Sequence, residues 1–552
     1  MKTTGLFLLL LFCITANGQV WQWAKSASGT GIDEGSSITT DVLGNVYVTG
    51  TFSSPTITFG SYTLINAGTS GTGDAFLVKY DASGTVLWAK STQGAGADLC
   101  YGVATDTSEN VYIIGYFYSP TITIGTYTLS NSGDANVFLA KYDASGTALW
   151  ARSSLGTGIA EGRSVTTDAS GNIYITGDFN SPSFTFGTNV LNNSGGLDIF
   201  LAKYDASGNV LWAKSAQGIS HDWSNSVATD VFGNVYVAGR FDSPSITFET
   251  YTITNLGNEN IFLVKYNSSG TVLWAKGAGG ISDDWANSIA TDATGNIYLT
   301  GAFSSPSFTI GTYTLTNTGS HDVFFAKYNN SSGNVLWAKS AEGTGSDIGY
   351  GVATDTYDNV YLMGRFSYMT VNSITFDSII LSFPSGGIDP MFIVKYNSSG
   401  SVLCSSTLAS GGDDICGIVT DVFGNVYIGN DFMINPFIVG SDTLNLTGEE
   451  DVFVAKCTFN CNVNSINELN KRIKIIVYPN PFFSETTFKT NEALKNATLS
   501  IYNTLGLEIR IIKNISGQEI ILHRENLSSG LYYIRLTQDN KIITTHKLVI
   551  SN

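Results

Sequence analysis

Two tryptophans near the middle of the chain stand beside charged residues that suit ligand recognition. Trp223 follows Asp222 in a His-Asp-Trp-Ser-Asn segment, and Trp285 follows Asp284 in an Asp-Asp-Trp-Ala-Asn segment. An indole offers a flat apolar face, while carboxylate and guanidinium groups hydrogen-bond to hydroxyl or peptide groups. Together with Arg240, these residues predict a stacking platform for a glycan or a protein ligand. The structural alternative is that the tryptophans pack between strands and the aspartates cap turns.

Aspartates also recur at one position of an internal repeat, eight residues before a Thr-Asp dipeptide. The third copy has Ala160 at this position. The other six copies have an aspartate there: Asp33, Asp98, Asp222, Asp284, Asp347 and Asp413. A ring of carboxylates suits Ca²⁺, which takes about six to eight oxygen ligands. The chain has no EF-hand pattern, however, and turn capping explains the same residues. We therefore expect no cofactor, with Ca²⁺ as the alternative.

The sequence offers no recognisable catalytic constellation. It has four histidines, and neither a Gly-x-Ser-x-Gly elbow nor a His-Glu-x-x-His segment. Polar residues that recur in every repeat are better explained as scaffold, because a catalytic site needs one asymmetric group of residues. We predict a binding or adhesion protein and no enzyme. The alternatives are an extracellular polysaccharide hydrolase or lyase and a passive surface or matrix component.

Four cysteines fall late in the repeats, as expected for an oxidising compartment. Cys404 replaces a tryptophan of the sixth repeat, and Cys416 lies in the next strand, so these two form one candidate pair. Cys457 and Cys461 form a second candidate pair that would close a small loop. Spacing alone does not fix the connectivity.

The elements that position these residues come from a repeat of 62 to 66 residues. Its clearest marker is the Thr-Asp dipeptide, with Asp41, Asp106, Asp168, Asp230, Asp292, Asp355 and Asp421. Each copy contains segments like Ser-Val-Ala-Thr, Asn-Val-Tyr-Val-Thr, Ile-Phe-Leu-Ala-Lys and Val-Leu-Trp-Ala-Lys, called strands a to d. They are rich in β-branched and aromatic residues and are separated by Gly, Asn and Asp turns. Between strands b and c, a further segment predicts a short hairpin.

A repeated four-stranded antiparallel unit is typical of a β-propeller. The seventh copy lacks strand d, and a matching Trp-Gln-Trp-Ala-Lys-Ser segment stands at Trp21–Ser26. We expect this segment to complete the seventh blade, which closes the ring and sets the count at seven. A monomer is expected, and a ring assembled between chains is the alternative.

The repeats resemble the SBBP-type β-propeller repeat of secreted bacterial proteins. The series that carries the resemblance is Thr-Asp, Gly-Asn-Val-Tyr-Val-Thr-Gly and Asp-Val-Phe-Leu-Ala-Lys-Tyr. The resemblance implies a propeller over residues 19–461 and no particular activity.

After a polar linker at 462–473, residues 474–552 read as short strands of a small Ig-like β-sandwich. The expected strands are Lys474–Tyr478, Thr486–Thr490, Thr498–Asn503, Leu531–Thr537 and Lys541–Ile550. This tail resembles the type A C-terminal sorting domain of the type IX, or Por, secretion system. The matching residues are Tyr478, Pro479, Asn480, Pro481, Gly506, Gly530 and Tyr532. The resemblance implies that the tail binds the secretion translocon.

Residues 1–18 read as a signal peptide, with Lys2 before a short apolar run and small residues at the cut. With the tail, this predicts export through the periplasm to the medium or the outer cell surface. The chain has 28 basic against 45 acidic residues and a net charge of −17. Such a charge disfavours binding to a phosphate backbone, so no nucleic-acid partner is expected.

Overall fold

A computed structural model describes residues 19–68, 71–366, 373–383, 390–409, 412, 416–461, 475–503, 508–538 and 541–551. The chain divides into two compact units, residues 1–463 and residues 464–552. All secondary structure in the described ranges is β-strand, and none of it is a helix that could cross a membrane. The expected signal peptide, the expected linker, Asp413 and Gly506 lie outside the described residues.

The first unit contains seven antiparallel sheets, numbered in chain order. Each has the same four main strands, and sheet 4 gains two more because its outer strand pairs with the hairpin Ser307–Ile310 and Tyr313–Thr316. Their inner strands are Asp33–Thr40, Asp98–Thr105, Ala160–Thr167, Asp222–Thr229, Asp284–Thr291, Asp347–Thr354 and Gly417–Thr420. The second strands are Val46–Phe52, Val111–Phe117, Ile173–Phe179, Val235–Phe241, Ile297–Phe303, Val360–Phe366 and Val426–Phe432. The third strands are Asp74–Tyr80, Asn136–Tyr142, Asp198–Tyr204, Asn260–Tyr266, Asp322–Tyr328, Pro390–Tyr396 and Asp451–Phe459. The outer strands are Val86–Ser91, Ala148–Ser153, Val210–Ser215, Val272–Gly279, Val335–Ser340, Val402–Ala409 and, for sheet 7, Gln19–Ser26.

A short hairpin follows the second strand of every sheet. The seven hairpins are Thr56–Phe59 with Tyr62–Ile65, Thr121–Ile124 with Tyr127–Ser130, Ser183–Phe186 with Asn189–Asn192, Ser245–Phe248 with Tyr251–Thr254, Ser307–Ile310 with Tyr313–Thr316, Ser373–Phe376 with Ile379–Ser382, and Phe437–Val439 with Asp442–Leu444. Two-residue strands at Gln93–Gly94 and Glu342–Gly343 pair with the hairpins of sheets 2 and 6. The hairpins therefore tie the loop before each of these sheets to the sheet itself.

The inner strands contact one another in a closed circle, sheet 7 being next to sheet 1. At the end of each inner strand a threonine hydroxyl donates to the carbonyl of the matching threonine of the preceding sheet, at 2.7–3.2 Å. The members of this threonine ring are Thr40, Thr105, Thr167, Thr229, Thr291, Thr354 and Thr420. The circular arrangement is propeller-like, and its seven bonds include the one that joins the last sheet to the first.

The aspartate after each ring threonine organises the adjoining turn. In sheet 4, Asp230 accepts from the backbone N–H groups of Phe232 and Asn234 and from the Asn234 side chain. It also accepts from the hydroxyl of Tyr236, which is fully buried, and the same tyrosine–aspartate bond occurs in all seven sheets. Gly233 has a φ of 79° at this turn, a conformation that favours glycine. The recurring Thr-Asp dipeptide therefore has a structural role: the threonine joins neighbouring sheets and the aspartate stabilises the turn.

Sheet 7 is completed by the first strand of the chain, as the missing strand d of the last repeat predicts. Trp23 pairs with Lys456, and both side chains donate to the carbonyl of Ala82 in sheet 1. Lys79 and Trp88 of sheet 1 donate in the same way to Ala144 of sheet 2. The contact across the junction of the chain ends thus repeats the contact between ordinary neighbours.

The apolar core of the first unit lies between neighbouring sheets. Each of its clusters combines residues of two adjacent sheets, such as Tyr47 and Leu77 of sheet 1 with Ile113 and Phe138 of sheet 2. Strands two and three are buried on both faces, which explains their continuous apolar sequences. No sheet could therefore keep its core without both neighbours.

One disulfide bond lies in the described residues, and it differs from both candidate pairs. Cys404 is joined to Cys461, with a Cα–Cα distance of 5.6 Å, while Cys416 and Cys457 are buried free thiols. The pairing of Cys404 with Cys416 is wrong because Cys404 lies on an outer strand and Cys416 precedes an inner strand, at opposite edges of the sheets. The loop between Cys457 and Cys461 is not closed because the third strand continues to Phe459.

The second unit is a five-stranded antiparallel arrangement with its own core. Its strands are Ile475–Tyr478, Glu485–Tyr502, Glu508–His523, Gly530–Gln538 and Lys541–Ile550. Asn480 accepts from the N–H of Val549 and donates to the carbonyl of Lys547, which fixes the predicted Tyr-Pro-Asn-Pro segment to the last strand. The core contains Phe488, Leu499, Ile534 and Leu548.

Two predicted strands of the tail are one continuous strand in the structure. The expected segments around Thr486–Thr490 and Thr498–Asn503 both belong to Glu485–Tyr502, and the strand Glu508–His523 was not expected. The pairing of these two strands is interrupted by register shifts, where Asn496 and Asn514 have positive φ values. Asparagine tolerates this conformation, so a strand can bend there without ending.

Candidate functional site

The inner strands of all seven sheets surround a central cavity of about 430 Å³, called the channel below. Most of its wall is made of small or uncharged polar residues, among them Ser37, Gly102, Ser164, Ser226 and Ser288. The hydroxyls of four of these serines accept an N–H from the next inner strand, at 3.2–3.3 Å. These serines thus hold neighbouring inner strands together.

Six other residues of the wall occupy equivalent β-bulges. Where inner strands pair with second strands, the register shifts by one at the fourth residue in sheets 1 to 6. A bulged residue has no cross-strand partner, and its side chain is turned out of the regular alternation. The bulge residues, all of which line the channel, are Ser36, Tyr101, Arg163, Asn225, Asn287 and Tyr350. Cys416 has the equivalent place beside the shortened inner strand of sheet 7.

The bulge residues of sheets 3, 4 and 5 form a polar arc. Asn225 donates from its amide to the carbonyl of Ala286 at 2.8 Å, and Asn287 donates to Gly349 at 2.9 Å. Each asparagine is therefore fixed by the neighbouring sheet. Arg163 continues the arc in sheet 3, so donors and acceptors lie side by side on one part of the wall.

Arg163 is held by two carboxylates. It donates to Glu161 through Nη2, and its Nε lies 3.5 Å from Asp178 Oδ1. Asp178 is 1% exposed, and within the described residues neither of its carboxylate oxygens accepts a hydrogen bond. Burial is the main reason that the pKa of Asp178 is raised to about 7, and the charge of Arg163 opposes that rise. The buried carboxyl group of Asp178 thus helps to orient the Arg163 side chain.

Aromatic rings flank the arc on both sides. Tyr101 stacks on Tyr116 with ring centroids 5.5 Å apart and an angle of 6°, and the guanidinium of Arg163 lies 5.5 Å from the Tyr101 ring. On the other side, the guanidinium of Arg365 lies 5.6 Å from the ring of Tyr350. Stacked rings and cations hold the two channel tyrosines in place.

The predicted tryptophans lie outside this cavity wall. Trp223 pairs across the strands with Arg240, whose guanidinium is 4.7 Å from the indole, and His221 stacks beside it at 5.7 Å. Trp285 contacts His321, with ring centroids 5.0 Å apart. The structure thus brings Trp223 and Arg240 together. Trp223 lies two residues before Asn225, the channel residue of the same strand.

The predicted aspartates Asp222 and Asp284 are fully buried, so neither carboxylate is accessible from solvent. Asp222 accepts from the hydroxyl of Ser243 at 3.1 Å, and Asp284 accepts from Ser305 at 2.7 Å. The same bond occurs at the start of sheets 1 and 2. Their place in a ligand site is therefore corrected to a structural one, because each carboxylate fixes the loop that follows the second strand. Burial raises the pKa of Asp222 to about 7.

The described residues contain no group of three or more His, Cys, Asp or Glu side chains arranged to hold a metal ion.

The channel residues were not identified from the sequence, although a signal was present. Repetition at both ends of the inner strand favours a purely structural interpretation of the whole strand. Its fourth residue, however, changes from Ser to Tyr, Arg, Asn, Asn, Tyr and Cys across the seven copies. Variation inside an otherwise repeated strand marks this position, and the β-bulge gives the reason.

Family models match both units. Residues 476–551 match a model described as a secretion system C-terminal sorting domain, and residues 22–51 match a beta-propeller repeat. The tail is of the sorting type. A tail of this type indicates export to a secreted or cell-surface location.

Two curated proteins are similar over most of the chain. An uncharacterized WD repeat-containing protein of Acanthamoeba polyphaga mimivirus is 27% identical over 69% of this chain, and the regulatory protein FlaEY of Caulobacter vibrioides is 24% identical over 77%. The matches cover 34% and 46% of those proteins, so the chain spans between a third and a half of their length.

Solved structures with similar folds are distant. Synechocystis apocarotenoid oxygenase has a TM-score of 0.37 and 11% identity, covering 77% of this chain and 94% of its own. Pyrococcus horikoshii acylaminoacyl peptidase has a TM-score of 0.36 and 10% identity, covering 84% of this chain and 59% of its own.

Proposed function

We propose that the first unit is a seven-bladed β-propeller that binds a polar ligand in its channel outside the cell. Seven sheets in a closed circle, joined by the threonine ring and completed by the first strand of the chain, support the blade count. The sorting tail supports the location. The role is binding, and the ligand is a glycan or a peptide.

The observation that carries the binding role is the asymmetry of the bulge residues. The six bulges have the same backbone geometry, and any one residue type would serve a purely structural purpose in all of them. Instead the six bulges carry four different residue types, whereas the threonine four positions later is present in every sheet. A wall with one arginine, two asparagines and two tyrosines at fixed places is asymmetric, as recognition of a specific ligand requires.

Export follows the type IX route in this proposal. A signal peptide at 1–18 takes the chain to the periplasm, and the tail binds the outer-membrane translocon. The tail forms an Ig-like sandwich, which is supported by Tyr532, whose hydroxyl donates to the carbonyl of Ser528 four residues upstream. Cells expressing the chain without 464–552 should keep it in the periplasm, while the complete chain reaches the surface or the medium. Equal surface display of both would contradict the sorting role.

The binding role is tested with a variant that removes three side chains of the wall, Tyr101→Ala, Asn225→Ala and Asn287→Ala. Purified chain is applied to an array of glycans and peptides, and bound protein is measured by fluorescence. We expect the variant to lose binding to every ligand that the wild-type chain retains. A matched control carries Tyr251→Ala and Asn209→Ala, two exposed positions on a hairpin and an outer turn, and should bind normally.

Two results would contradict this proposal. If the triple variant binds as the wild-type chain does, the ligand does not use the channel. If a retained polysaccharide is cleaved, the protein is a hydrolase or lyase instead.

A further inference from the structure

The channel wall carries a single formal charge among its described residues. Of the side chains that line it, Arg163 alone is ionised near neutral pH, and the others are Ser, Asn, Tyr, Cys and apolar residues. Cys416 is neutral, because burial raises the pKa of its thiol well above the ordinary value. The ligand charge that the channel favours therefore depends on the groups around Arg163.

That charge is already offset by the protein. Glu161 and Asp178 both lie against the guanidinium, and Glu161 accepts a hydrogen bond from it. A carboxylate ligand would add a further negative charge beside Glu161 and the partly ionised Asp178, in a chain with a net charge of −17. A cationic ligand would meet the arginine itself. The wall thus favours a neutral ligand with many hydrogen-bonding groups.

The order of the channel residues around the wall suits a sugar ring with its hydroxyl groups. Arg163, Asn225 and Asn287 occupy consecutive sheets, and Tyr101 and Tyr350 lie in the sheets on either side. Hydroxyl groups donate and accept, so they can bond to guanidinium and amide groups alike. The C–H faces of a sugar ring pack well on aromatic rings. Sheets 1 and 7 present only Ser36 and Cys416 at this level and leave room opposite the arc.

We infer that the channel binds an uncharged sugar of one or two rings, with tyrosine rings against its faces and Arg163, Asn225 and Asn287 on its hydroxyls. The volume of about 430 Å³ is within the range of about 300–1,000 Å³ of small-molecule sites. Asp178 is a positioning residue that holds Arg163 and does not touch the sugar. This inference rests on the proposed channel binding and specifies its ligand.

The test compares matched sugars in solution. Cellobiose, lactose and maltose are titrated into the purified chain by calorimetry, next to glucuronic and galacturonic acid disaccharides and the methyl esters of those acids. We expect at least one neutral disaccharide or ester to bind, and its carboxylate counterpart to bind at least about tenfold more weakly. Converting an acid to its ester changes the charge and keeps the ring, so the comparison isolates charge.

Variants of the wall give a second readout. Arg163→Gln should weaken binding of the neutral sugar by about tenfold, the effect of losing hydrogen bonds to a charged donor. Arg152→Gln, on the outer strand of sheet 2, is the matched control and should bind as the wild type does. Because Arg163→Gln leaves Asp178 without its cation and can disturb folding, Tyr101→Phe and Tyr101→Ala are compared as well. Phenylalanine keeps the ring face and should retain binding within about twofold, while alanine should lose it.

Each outcome decides the inference. It is overturned if the carboxylates bind as tightly as their esters, if only peptides of the array bind, or if Tyr101→Ala binds the sugar normally. The first two of these results leave channel binding intact. Channel binding itself fails only if no ligand depends on the bulge residues.

Discussion

In the inner strands of sheets 1 to 6, the last residue and the fourth residue are only four positions apart, but the last is the same in every sheet and the fourth varies. The last residue is threonine in all seven sheets, and its hydroxyl bonds to the preceding sheet. The fourth is a bulge residue that varies among Ser, Tyr, Arg and Asn in sheets 1 to 6 and lines the channel. The difference separates two tasks within one strand. Residues that bind a neighbouring sheet must repeat, because every junction is alike, whereas residues that bind a ligand must differ.

This comparison predicts that changes to the scaffold lower stability and leave ligand binding unchanged. The largest effect is expected from the disulfide bond, as tested with Cys404→Ser and Cys461→Ser together. The bond closes a loop with a sequence separation of 57, for which chain entropy predicts about 4 kcal/mol. Thermal unfolding of the oxidised wild-type chain, the reduced chain and the double variant measures it. Equal melting temperatures with and without reductant would show that the bond contributes no stability.

Asp230→Ala is expected to have the next largest effect. It removes the acceptor for two backbone N–H groups, for Asn234 and for Tyr236, whose hydroxyl is then buried without a partner. The expected loss is about 2–3 kcal/mol of unfolding free energy, measured by urea denaturation. Asp205 makes the same three bonds within its own turn, without a tyrosine partner, and is only partly buried, so Asp205→Ala is the matched control and should cost less than about 1 kcal/mol. A similar loss in both variants would mean that burial of the Thr-Asp turn is unimportant.

The threonine position and the bulge position of the inner strand also differ in how well the sequence predicts them. Repetition predicted the strands, the turns and the completion of sheet 7 by Trp21–Ser26, because repeated contacts require repeated residues. It gave no direct sign of the bulges, since a shift of one residue in register depends on how the second strand pairs. The neighbouring tryptophans suggest a place in the site for Asp222 and Asp284, whereas their burial shows that they belong to the scaffold. Sequence spacing does not predict the partner of Cys404, because that partner depends on which strands lie at the same edge.

Buried carboxylates of the scaffold predict an unusual dependence of stability on pH. Burial raises the pKa of Asp98 and Asp222 to about 7 and that of Asp74 to about 6, all above the ordinary value of 3.8. The folded state therefore holds protons that the unfolded state has released between about pH 4 and 7. This contribution is complete below pH 4 and is lost as the pH rises through 6 to 7. The melting temperature should be higher at pH 5 than at pH 8.

A single substitution tests the origin of this pH dependence. Asp198 raises the pKa of Asp222 by its charge, and in sheet 4 the matching residue is Asn260. Asp198→Asn should stabilise the chain at pH 8 by about 1 kcal/mol, the equivalent of somewhat less than one pKa unit, and flatten the change between pH 5 and 8. Asp81→Asn, in an exposed turn, is the control. A chain that is more stable at pH 8 than at pH 5 would contradict the assignment of protonated buried aspartates.

The smallest effect is expected for Thr229→Val in the threonine ring. Valine has nearly the shape of threonine and removes only the bond from the hydroxyl to the carbonyl of Thr167, 2.8 Å away. The loss should be about 0.5–1.5 kcal/mol, because one neutral hydrogen bond is exchanged for water at a half-exposed site. Thr252→Val removes a hydroxyl contact on an exposed hairpin and should cost less. Sugar binding should be the same in both variants, since Thr229 lies at the end of the strand and the ligand contacts its fourth residue, Asn225. If Thr229→Val changes the affinity as much as Asn225→Ala does, the threonine and bulge positions are coupled. The proposal that one stabilises the scaffold and the other binds the ligand would then be wrong.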